Sequence, residues 1–386
     1  SNVAACSPLA VRAEKKGTVD YVDSQKIIIK ESARVKKTYQ LSQLVASNKN
    51  TLNFSTPLVK KGDLVEKEQI IANASYIRNG ELALGQNLRV AYCCWEGYNF
   101  EDAIVISDRL VKEDILTSFF VKKYTIIRYH TKHGEEVFTN LLPHLDPKDP
   151  KKEDQERQVH EQITHLDQDG IVKVGSRVKA HDILVGKRTP QPRPQEESEE
   201  EALLLSILGE ASRKFVDSSL YLPTGEKGEV YEVRRKKLTK NRRELEVVEV
   251  YVAQERKIEA GDKQVDRYGY KGVIAKIVPA ADLPYDEEGK TFDILINPLG
   301  IPSRLNIGKL LETILAEAAY RLNSKFLVRP FNTLSPQIIK QIMQEAGISP
   351  NGTRQLFNGR TGLPFAHPVY TGYTYIVKLN HMVADK

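Results

Sequence analysis

A recurring strand–turn–strand phrase limits this chain to a β-rich fold. It occurs at residues 57–66 (PLVKKGDLVE), at residues 171–178 (IVKVGSRV) followed by 183–186 (ILVG), and more weakly at residues 258–263 (IEAGDK). β-Branched residues favour strands, and a glycine between two strands permits a tight hairpin turn. Three loose copies do not make a repeat array, so the phrase predicts compact β-barrel modules with hairpins.

Helices are predicted in the last third of the chain. Apolar residues on one face define a helix from about residue 307 to residue 325, namely Leu310, Leu311, Ile314, Leu315, Ala318 and Leu322. A second helix is expected with Ser335 as its N-cap, Pro336 at its first position and Gly347 as its stop. We interpret the apolar face as core packing rather than as a groove for a partner.

Two polar stretches interrupt the β pattern. Residues 146–158 are dense in charge, and the prolines of residues 189–194 run into an acidic segment at 196–201. Such composition predicts stiff, exposed linkers. A short helix is predicted behind them, at residues 203–215.

Composition excludes several classes of protein. The 386 residues carry a formal charge of +6, which permits contact with nucleic acid without requiring it. Apolar runs are far shorter than the roughly 20 residues of a membrane helix, so no membrane partner is expected. Residues 1–12 show no secretory leader. Cys6, Cys93 and Cys94 are too few for a disulfide framework and lack metal-ligand spacing, so we expect reduced thiols and no zinc site.

One candidate chemical phrase is acidic. Residues 97–104 (GYNFEDAI) place Glu101 and Asp102 side by side after a predicted strand. Adjacent carboxylates on a turn can hold a divalent cation through oxygen ligands. Taken alone, such a pair more often forms the first turn of a helix, where the dipole favours negative charge.

Two further phrases are basic. Residues 261–272 (GDKQVDRYGYKG) set cations among glycines, a pattern that lets side chains and backbone N–H groups approach a phosphate. The alternative is a charged hairpin tip. In residues 297–308 (NPLGIPSRLNIG), Arg304 could make forked contacts with a phosphate or pair with a neighbouring acid. The residues alone therefore indicate a β-rich, mildly basic protein with candidate phosphate-contacting loops.

The order of these phrases resembles the central and C-terminal part of the β subunit of bacterial or plastid multi-subunit RNA polymerases. The resemblance extends over nearly the whole chain. It rests on residues 80–90 (GELALGQNLRV), 95–102 (WEGYNFED), 182–187 (DILVGK), 217–220 (DSSL), 297–308 with Glu312 and Thr313, 357–362 (FNGRTG) and 378–381 (KLNH).

The resemblance implies a fold and a division into domains. The fold would be mainly β with some α, with a double-psi β-barrel, an inserted flap domain (a β-barrel/sandwich hybrid) and C-terminal helices. Residues 1–115 would begin the barrel region, 116–247 would form the flap, 248–330 would complete the barrel, and 331–386 would form the C-terminal segment. We expect one piece of a split subunit or a truncated subunit, without the N-terminal lobes.

The resemblance also implies roles for the basic residues. Lys263 and Lys271 fall on two lysines beside the RNA 3′ end and the initiating nucleotide, where their charge would offset phosphate during nucleotidyl transfer. Arg304 falls on an arginine that reaches the triphosphate of the incoming nucleotide. Arg267 is counted with the substrate-binding residues. Positioning and electrostatics, without a covalent enzyme intermediate, are what such a transfer needs from the protein.

The implied cofactor is Mg²⁺, held mainly by the β′ subunit. Glu101 and Asp102 fall on an acidic pair near a second Mg²⁺ and the nucleotide entry channel. Other implied partners are the α subunit, the remaining β segments, σ factor, template DNA, the RNA–DNA hybrid and nucleoside triphosphates. The resemblance implies a flap tip at residues 236–247, where Leu238, Leu245 and Val247 are candidate σ contacts. The expected location is a plastid or the bacterial cytoplasm, with the nucleoid.

One loop departs from the family, which usually has GDKMAGRHGNKG at residues 261–272. The differing residues are Gln264, Val265, Asp266, Tyr268 and Tyr270. Asp266 stands in place of a glycine, so we expect added negative charge beside the lysines and a strained backbone. The alternatives are a non-catalytic β-like module that docks on polymerase or σ factor, and an unrelated β-barrel that binds acidic ligands.

Overall fold

A computed structural model of the chain describes residues 4, 7, 10–32, 34–43, 45–78, 80–132, 134–140, 163–191, 215–240, 243–329 and 334–386. The charged stretch at 146–158, residues 192–201 of the proline-rich and acidic stretch, and residues 203–214 of the predicted short helix lie outside this part. Two compact units divide the chain. The first contains Ser1–Gln43, Asn53–Ser118 and Arg256–Lys386, and the second contains Leu44–Leu52 and Phe119–Glu255.

Strands dominate both units. The strands up to residue 107 are β1 (Val11–Arg12), β2 (Gly17–Val22), β3 (Lys26–Lys30), β4 (Lys36–Gln40), β5 (Val45–Ala46), β6 (Leu52–Asn53), β7 (Ser55–Pro57), β8 (Leu64–Val65), β9 (Ile70–Ala74), β10 (Ile77–Arg78), β11 (Glu81–Leu82), β12 (Gln86–Tyr92) and β13 (Ala103–Ser107).

The following strands, up to residue 256, are β14 (Ser118–Arg128), β15 (His130–Thr131), β16 (Gly134–Glu135), β17 (Val137–Phe138), β18 (Arg177–Val178), β19 (Ile183–Val185), β20 (Lys187–Pro190), β21 (Phe215–Asp217), β22 (Leu220–Tyr221), β23 (Gly228–Lys240) and β24 (Arg243–Arg256). The last are β25 (Lys263–Asp266), β26 (Lys271–Val278), β27 (Tyr285–Asp286), β28 (Ile294–Ile296), β29 (Thr353–Arg354), β30 (Leu356–Phe357) and β31 (Val369–Lys378).

The α-helices of the described residues are Arg109–Lys112, Ile307–Arg321 and Pro336–Glu345, with 3-10 turns at Ala280–Asp282, Pro298–Gly300 and Val383–Asp385. Among the described residues, no helix is both long enough and apolar enough to cross a membrane.

Six strands of the first unit close into a barrel. Their order is β12, β28, β13, β26, β25 and β31, and β31 pairs back onto β12 from Gln86↔Ile376 to Ala91↔Thr371. The β12–β28 and β13–β26 pairs are parallel, and the other pairs are antiparallel. The predicted fold class, mainly β with a double-psi barrel, an insertion and C-terminal helices, is confirmed.

The barrel interior explains why these segments are strands. Their inward residues are mostly β-branched or leucine and are buried: Leu88, Val90, Ile104, Ile106, Ile274, Ile294, Ile296 and Ile376. Burying one such side chain fully stabilises the fold by roughly 1.5–3 kcal/mol. The barrel strands come from two stretches of sequence, residues 86–107 and 263–378. In the sequence, Phe119–Glu255 of the second unit separates these two stretches.

The two C-terminal helices follow the predicted signals, with one difference. Ser335 Oγ accepts a hydrogen bond from Ile338 N (3.3 Å), Pro336 opens the helix, and Gly347 has φ +64°, as expected for a helix stop. The helix that begins at Ile307 ends at Arg321, before the predicted residue 325. It ends there because Asn323 adopts a left-handed φ of +47°, which a continuing helix does not permit.

The second unit contains a long hairpin of β23 and β24, whose strands pair from Glu229↔Ala253 to Lys240↔Arg243. It joins the four-stranded sheet β14-β24-β23-β18. On β24, the Glu249 carboxylate accepts hydrogen bonds from Lys236 Nζ (2.7 Å), Tyr251 Oη (3.1 Å) and Lys123 Nζ (3.3 Å). Three donors on one carboxylate stabilise its charged form.

We predict that Glu249 makes the stability of this unit depend on pH. The Lys236 hydrogen bond, with those of Tyr251 and Lys123, lowers the pKa of Glu249 from 4.5 to about 2 although burial opposes this. Its stabilising effect is therefore present above pH 4.5 and is lost as the pH falls through about 2. In urea unfolding followed across this range, Glu249→Gln should flatten the pH dependence. An unchanged slope would contradict the prediction.

Candidate functional site

The β25–β26 hairpin carries both predicted catalytic lysines on one face. Lys263 pairs with Val273, and Val265 pairs with Lys271. Alternate residues of these strands, such as Gln264 and Gly272, are buried, whereas Lys263 is partly exposed and Lys271 is exposed. The two lysines are therefore diagonal neighbours on the outward face, with Cβ atoms about 7 Å apart. Among the described residues, neither ammonium group has a carboxylate partner.

Asp266 closes the turn of this hairpin without backbone strain. Its Oδ1 accepts hydrogen bonds from Tyr268 N (2.8 Å) and Tyr270 N (2.9 Å). Gly269, with φ +78°, takes the left-handed position of the turn, and Asp266 is not among the residues with positive φ. The expectation of a strained backbone at Asp266 is therefore wrong, because the adjacent turn places that conformation on a glycine.

The charge of Asp266 is also compensated inside the protein. Its Oδ2 lies 2.9 Å from Lys309 Nζ, and both side chains are 1% exposed. Burial lowers the pKa of Lys309, although Asp266 acts in the opposite direction. The expectation of added negative charge beside the lysines is corrected accordingly, because Asp266 is paired with Lys309 on the buried face of the hairpin while the lysines lie on the outward face.

Two tyrosines of the turn need the glycines that face them. A Cβ at Gly300 would lie 2.5 Å from Tyr270 Oη, and a Cβ at Gly308 would lie 2.8 Å from Tyr268 Cε1. The Tyr270 ring also contacts two cations, with Lys309 Nζ 3.6 Å and Arg304 Cζ 4.8 Å from its centroid. Tyr270 therefore links the interior of the site to its surface.

Sequence reasoning missed Lys309. A signal was present, since Lys309, Thr313 and Glu317 form a polar stripe at i, i+4 and i+8 of the helix Ile307–Arg321, and all three are buried. Buried charged residues are almost always paired. Such a stripe beside an apolar face therefore indicates ion pairs with other elements.

Arg304 and Asp102 form a two-pronged ion pair at the surface of the site. Arg304 Nη1 lies 2.7 Å from Asp102 Oδ1, and Arg304 Nη2 lies 2.7 Å from Asp102 Oδ2. Their side chains are 41% and 46% exposed, so solvent and solutes can reach the pair. This geometry is compatible with both interpretations of Arg304, as the partner of an acid and as a phosphate contact, because a guanidinium that binds a carboxylate through two N–H groups can bind a phosphate in the same way.

The remaining predicted substrate residues lie on the same unit. Arg267 Nη1 donates to Glu312 Oε1 (2.8 Å), and Arg267 Cζ lies 4.3 Å from the centroid of the Tyr375 ring. Glu101 is exposed, with φ +53°. Within the described ranges, no group of three or more His, Cys, Asp or Glu side chains could hold a metal ion. Glu101 and Asp102 supply carboxylate oxygens, which are ligands suited to Mg²⁺, without completing a ligand set.

The candidate σ contacts differ in exposure. Leu238 is 51% exposed and pairs with Leu245, which is partly buried. Val247 is 4% exposed and therefore offers almost no surface to a partner in this conformation.

The sequence matches one protein family over almost all of its length. Residues 12–386 match the family described as RNA polymerase Rpb2, domain 6. The chain is 43% identical over 383 residues to the DNA-directed RNA polymerase subunit beta of Spiroplasma citri, covering 98% of this chain and 28% of that protein. It is 42% identical over 386 residues to the protein of the same name from Mycoplasma capricolum, covering 98% and 29%.

A cyanobacterial relative shows the same pattern. The DNA-directed RNA polymerase subunit beta of Thermosynechococcus vestitus is 40% identical over 401 residues, covering 98% of this chain and 35% of that protein. The chain thus spans about a third of the length of these relatives. The match extends over the barrel, the insertion and the C-terminal helices together. The chain therefore belongs to the family of DNA-directed RNA polymerase β subunits.

Proposed function

We propose that this chain contributes part of the active centre of a multi-subunit polymerase that synthesises RNA on a DNA template. The observation that carries the proposal is the outward face of the β25–β26 hairpin. It presents Lys263 and Lys271 without carboxylate partners among the described residues. Strand β26 also lies beside the acidic loop, because Val273 N donates to the carbonyl oxygen of Asp102 (3.1 Å).

The proposed reaction is nucleotidyl transfer. The 3′ hydroxyl of the RNA gives its proton to solvent as its oxygen attacks the α-phosphorus of a nucleoside triphosphate, the bond from that phosphorus to pyrophosphate breaks, and negative charge develops on the phosphate oxygens. Fixed cations near those oxygens stabilise the transition state. We assign Lys263 and Lys271 to the RNA 3′ end and the initiating nucleotide, and Arg304 with Arg267 to the incoming nucleotide.

The Asp102–Arg304 pair fits this role. The incoming triphosphate would take the place of the Asp102 carboxylate on the Arg304 fork, and Asp102 would then face a nearby cation. Glu101 and Asp102 would supply carboxylate oxygens to a second Mg²⁺, and we assign Mg²⁺ mainly to the β′ subunit. When bound, the ion neutralises phosphate charge.

The proposed partners are the β′ and α subunits, the remaining β segments, σ factor, template DNA, the RNA–DNA hybrid and nucleoside triphosphates. The proposal keeps the predicted domain boundaries, with residues 116–247 as the flap, a range that largely overlaps Phe119–Glu255 of the second compact unit. Of the three candidate σ contacts, Leu238 is the most exposed. The proposed location is a plastid or the bacterial cytoplasm.

Reconstitution tests the proposal. This chain would be assembled with the remaining β segments, α and β′, and RNA synthesis measured on a primed template with and without the chain. We expect RNA only when the chain is present. Assembly without RNA synthesis, with every subunit incorporated, would instead support a docking module.

We predict that Arg304→Lys weakens nucleotide binding in this complex. Lysine keeps the charge but loses the two-pronged geometry, so the KM for nucleoside triphosphate should rise about tenfold. A matched control is Arg234→Lys, because Arg234 also forks onto one carboxylate, that of Glu232 (2.5 and 2.9 Å), and lies 5.0 Å from the Tyr251 ring. Equal KM values for both variants would remove Arg304 from the proposed site.

A further inference from the structure

The two carboxylate oxygens of the buried Asp266 make different contacts. Oδ1 accepts the amides of Tyr268 and Tyr270 and so fixes the turn between β25 and β26. Oδ2 pairs with Lys309 Nζ at 2.9 Å. The same side chain therefore fixes the hairpin backbone and anchors it to the helix Ile307–Arg321.

Lys309 extends this connection to an aromatic ring. Its side chain is fully buried, and its Nζ lies 3.6 Å from the centroid of Tyr270 and 5.7 Å from that of Tyr92. A cation at this distance from a ring is attracted to the ring face, and more strongly where water is excluded. Two contacts thus hold Tyr270. Asp266 accepts a hydrogen bond from the Tyr270 backbone amide, and Lys309 Nζ lies against the face of the Tyr270 ring.

On the surface, the held ring meets Arg304. The Arg304 Cζ lies 4.8 Å from the Tyr270 centroid. The Asp102 carboxylate also holds Arg304, but a triphosphate on the same fork would displace that carboxylate. The ring contact would survive the exchange, because Arg304 Cζ lies over the Tyr270 ring while the donors that pass from Asp102 to phosphate are Nη1 and Nη2.

We propose that Asp266, Lys309 and Tyr270 form a positioning unit that orients Arg304 for the triphosphate of the incoming nucleotide. The inference rests on the proposed role of Arg304. The unit keeps the guanidinium in one orientation before and after Asp102 is displaced. Less side-chain freedom is then lost when phosphate binds, and this lowers the KM for nucleotide.

The test measures kcat and KM for single-nucleotide addition by the assembled polymerase on a primed template. For Tyr270→Leu, which removes the ring, we expect the KM for nucleotide to rise about tenfold, equivalent to about 1.4 kcal/mol, with kcat within about twofold. Tyr270→Phe keeps the ring and should restore the KM to within about twofold of the unsubstituted enzyme. The matched control is Tyr251→Leu, since the Tyr251 ring also carries an arginine, Arg234, at 5.0 Å.

A double substitution separates positioning from general support of the fold. In an Arg304→Ala background, Tyr270→Leu should cause no further rise in KM, because the ring would act only through Arg304. A further rise of about tenfold in that background would overturn the inference, as would an unchanged KM for Tyr270→Leu alone. If Arg304→Ala itself leaves the KM unchanged, the proposed function fails instead.

The buried pair gives a second, independent readout. Asp266→Asn keeps an acceptor for the turn amides but leaves Lys309 without a counterion, and Lys309→Met leaves Asp266 unpaired. Each single variant should raise the KM about tenfold, and the double variant should also raise it about tenfold rather than about a hundredfold, because both residues act through the same contact with Tyr270. A double variant as impaired as the product of the two single effects would contradict the proposed unit.

Discussion

Lys271→Ala and Lys263→Ala should each lower the rate of nucleotide addition by the assembled polymerase about 10²–10³-fold. The expected size is that of removing one preorganised group that stabilises developing negative charge. Both ammonium groups lie on the outward face of one hairpin without carboxylate partners among the described residues, so their charge is available to phosphate. The measurement is single-turnover extension of a primed RNA at saturating nucleotide.

The control for this prediction is Lys67→Ala. Lys67 is an exposed lysine of the same unit, and it lies outside the barrel strands. It should leave the extension rate within about twofold, as is usual for exposed positions away from a site. Complexes of all three variants must contain every subunit in the same ratio. If the hairpin variants extend RNA as fast as Lys67→Ala, the chain is better described as an assembly or docking module.

Asp286→Ala should destabilise the chain by about 3–5 kcal/mol, because it leaves buried arginine charge without a partner. Asp286 Oδ2 accepts hydrogen bonds from Arg89 Nη2 and from Arg354 Nη1 (3.1 Å). Its Oδ1 accepts the amides of Glu288 (3.0 Å) and Lys290 (2.9 Å). Asp286 and Arg89 are 2% and 7% exposed. The free energy of unfolding in guanidinium chloride measures the effect.

A nearby surface carboxylate serves as the control. Glu288 is exposed and pairs with Lys290 Nζ (2.8 Å), so Glu288→Ala should change the free energy of unfolding by less than about 0.5 kcal/mol. Burial opposes ionisation of Asp286, but Arg89, the Lys290 amide and Arg354 lower its pKa overall. Its contribution is therefore present above pH 3.8 and is lost as the pH falls through the lower folded value. Equal losses of unfolding free energy for Asp286→Ala and Glu288→Ala would contradict the stabilising role of the buried contacts between Asp286 and the two arginines.

Local signals explain which parts of the fold the sequence predicted. Ser335, Pro336 and Gly347 act within one or two turns of backbone, so their spacing predicted the second helix and its stop. The end of the preceding helix depends on the left-handed Asn323, a residue with only a weak preference for that conformation. Its position could not be read from the apolar face, which continues to Leu322.

The site was predicted less completely, because its pairings connect distant segments. The alternation of residues 263–273 is local and would have indicated that Lys263 and Lys271 share a face, once hairpin pairing is assumed. The Arg304–Asp102 pair joins residues 202 positions apart, which no spacing rule reaches. The sequence predicts added negative charge at Asp266 because its partner, Lys309, lies on another element and cannot be located by spacing. A residue's charge predicts that a partner is needed, not where the partner lies.

The closure of the barrel has a consequence for the order of events during synthesis. Strand β12 pairs with β31, and this pairing closes the barrel. Next to it, Gly85 N donates a hydrogen bond to Tyr375 Oη (2.6 Å), two residues that lie 290 positions apart in the sequence. At 5–20 residues per second, a ribosome needs roughly 15–60 s to deliver the second partner after the first. Throughout that time β12 has an unpaired, apolar edge. The nascent chain therefore passes through an aggregation-prone interval, nearly half of which comes from the inserted residues Phe119–Glu255, and chaperone binding to residues 86–92 should be concentrated within it.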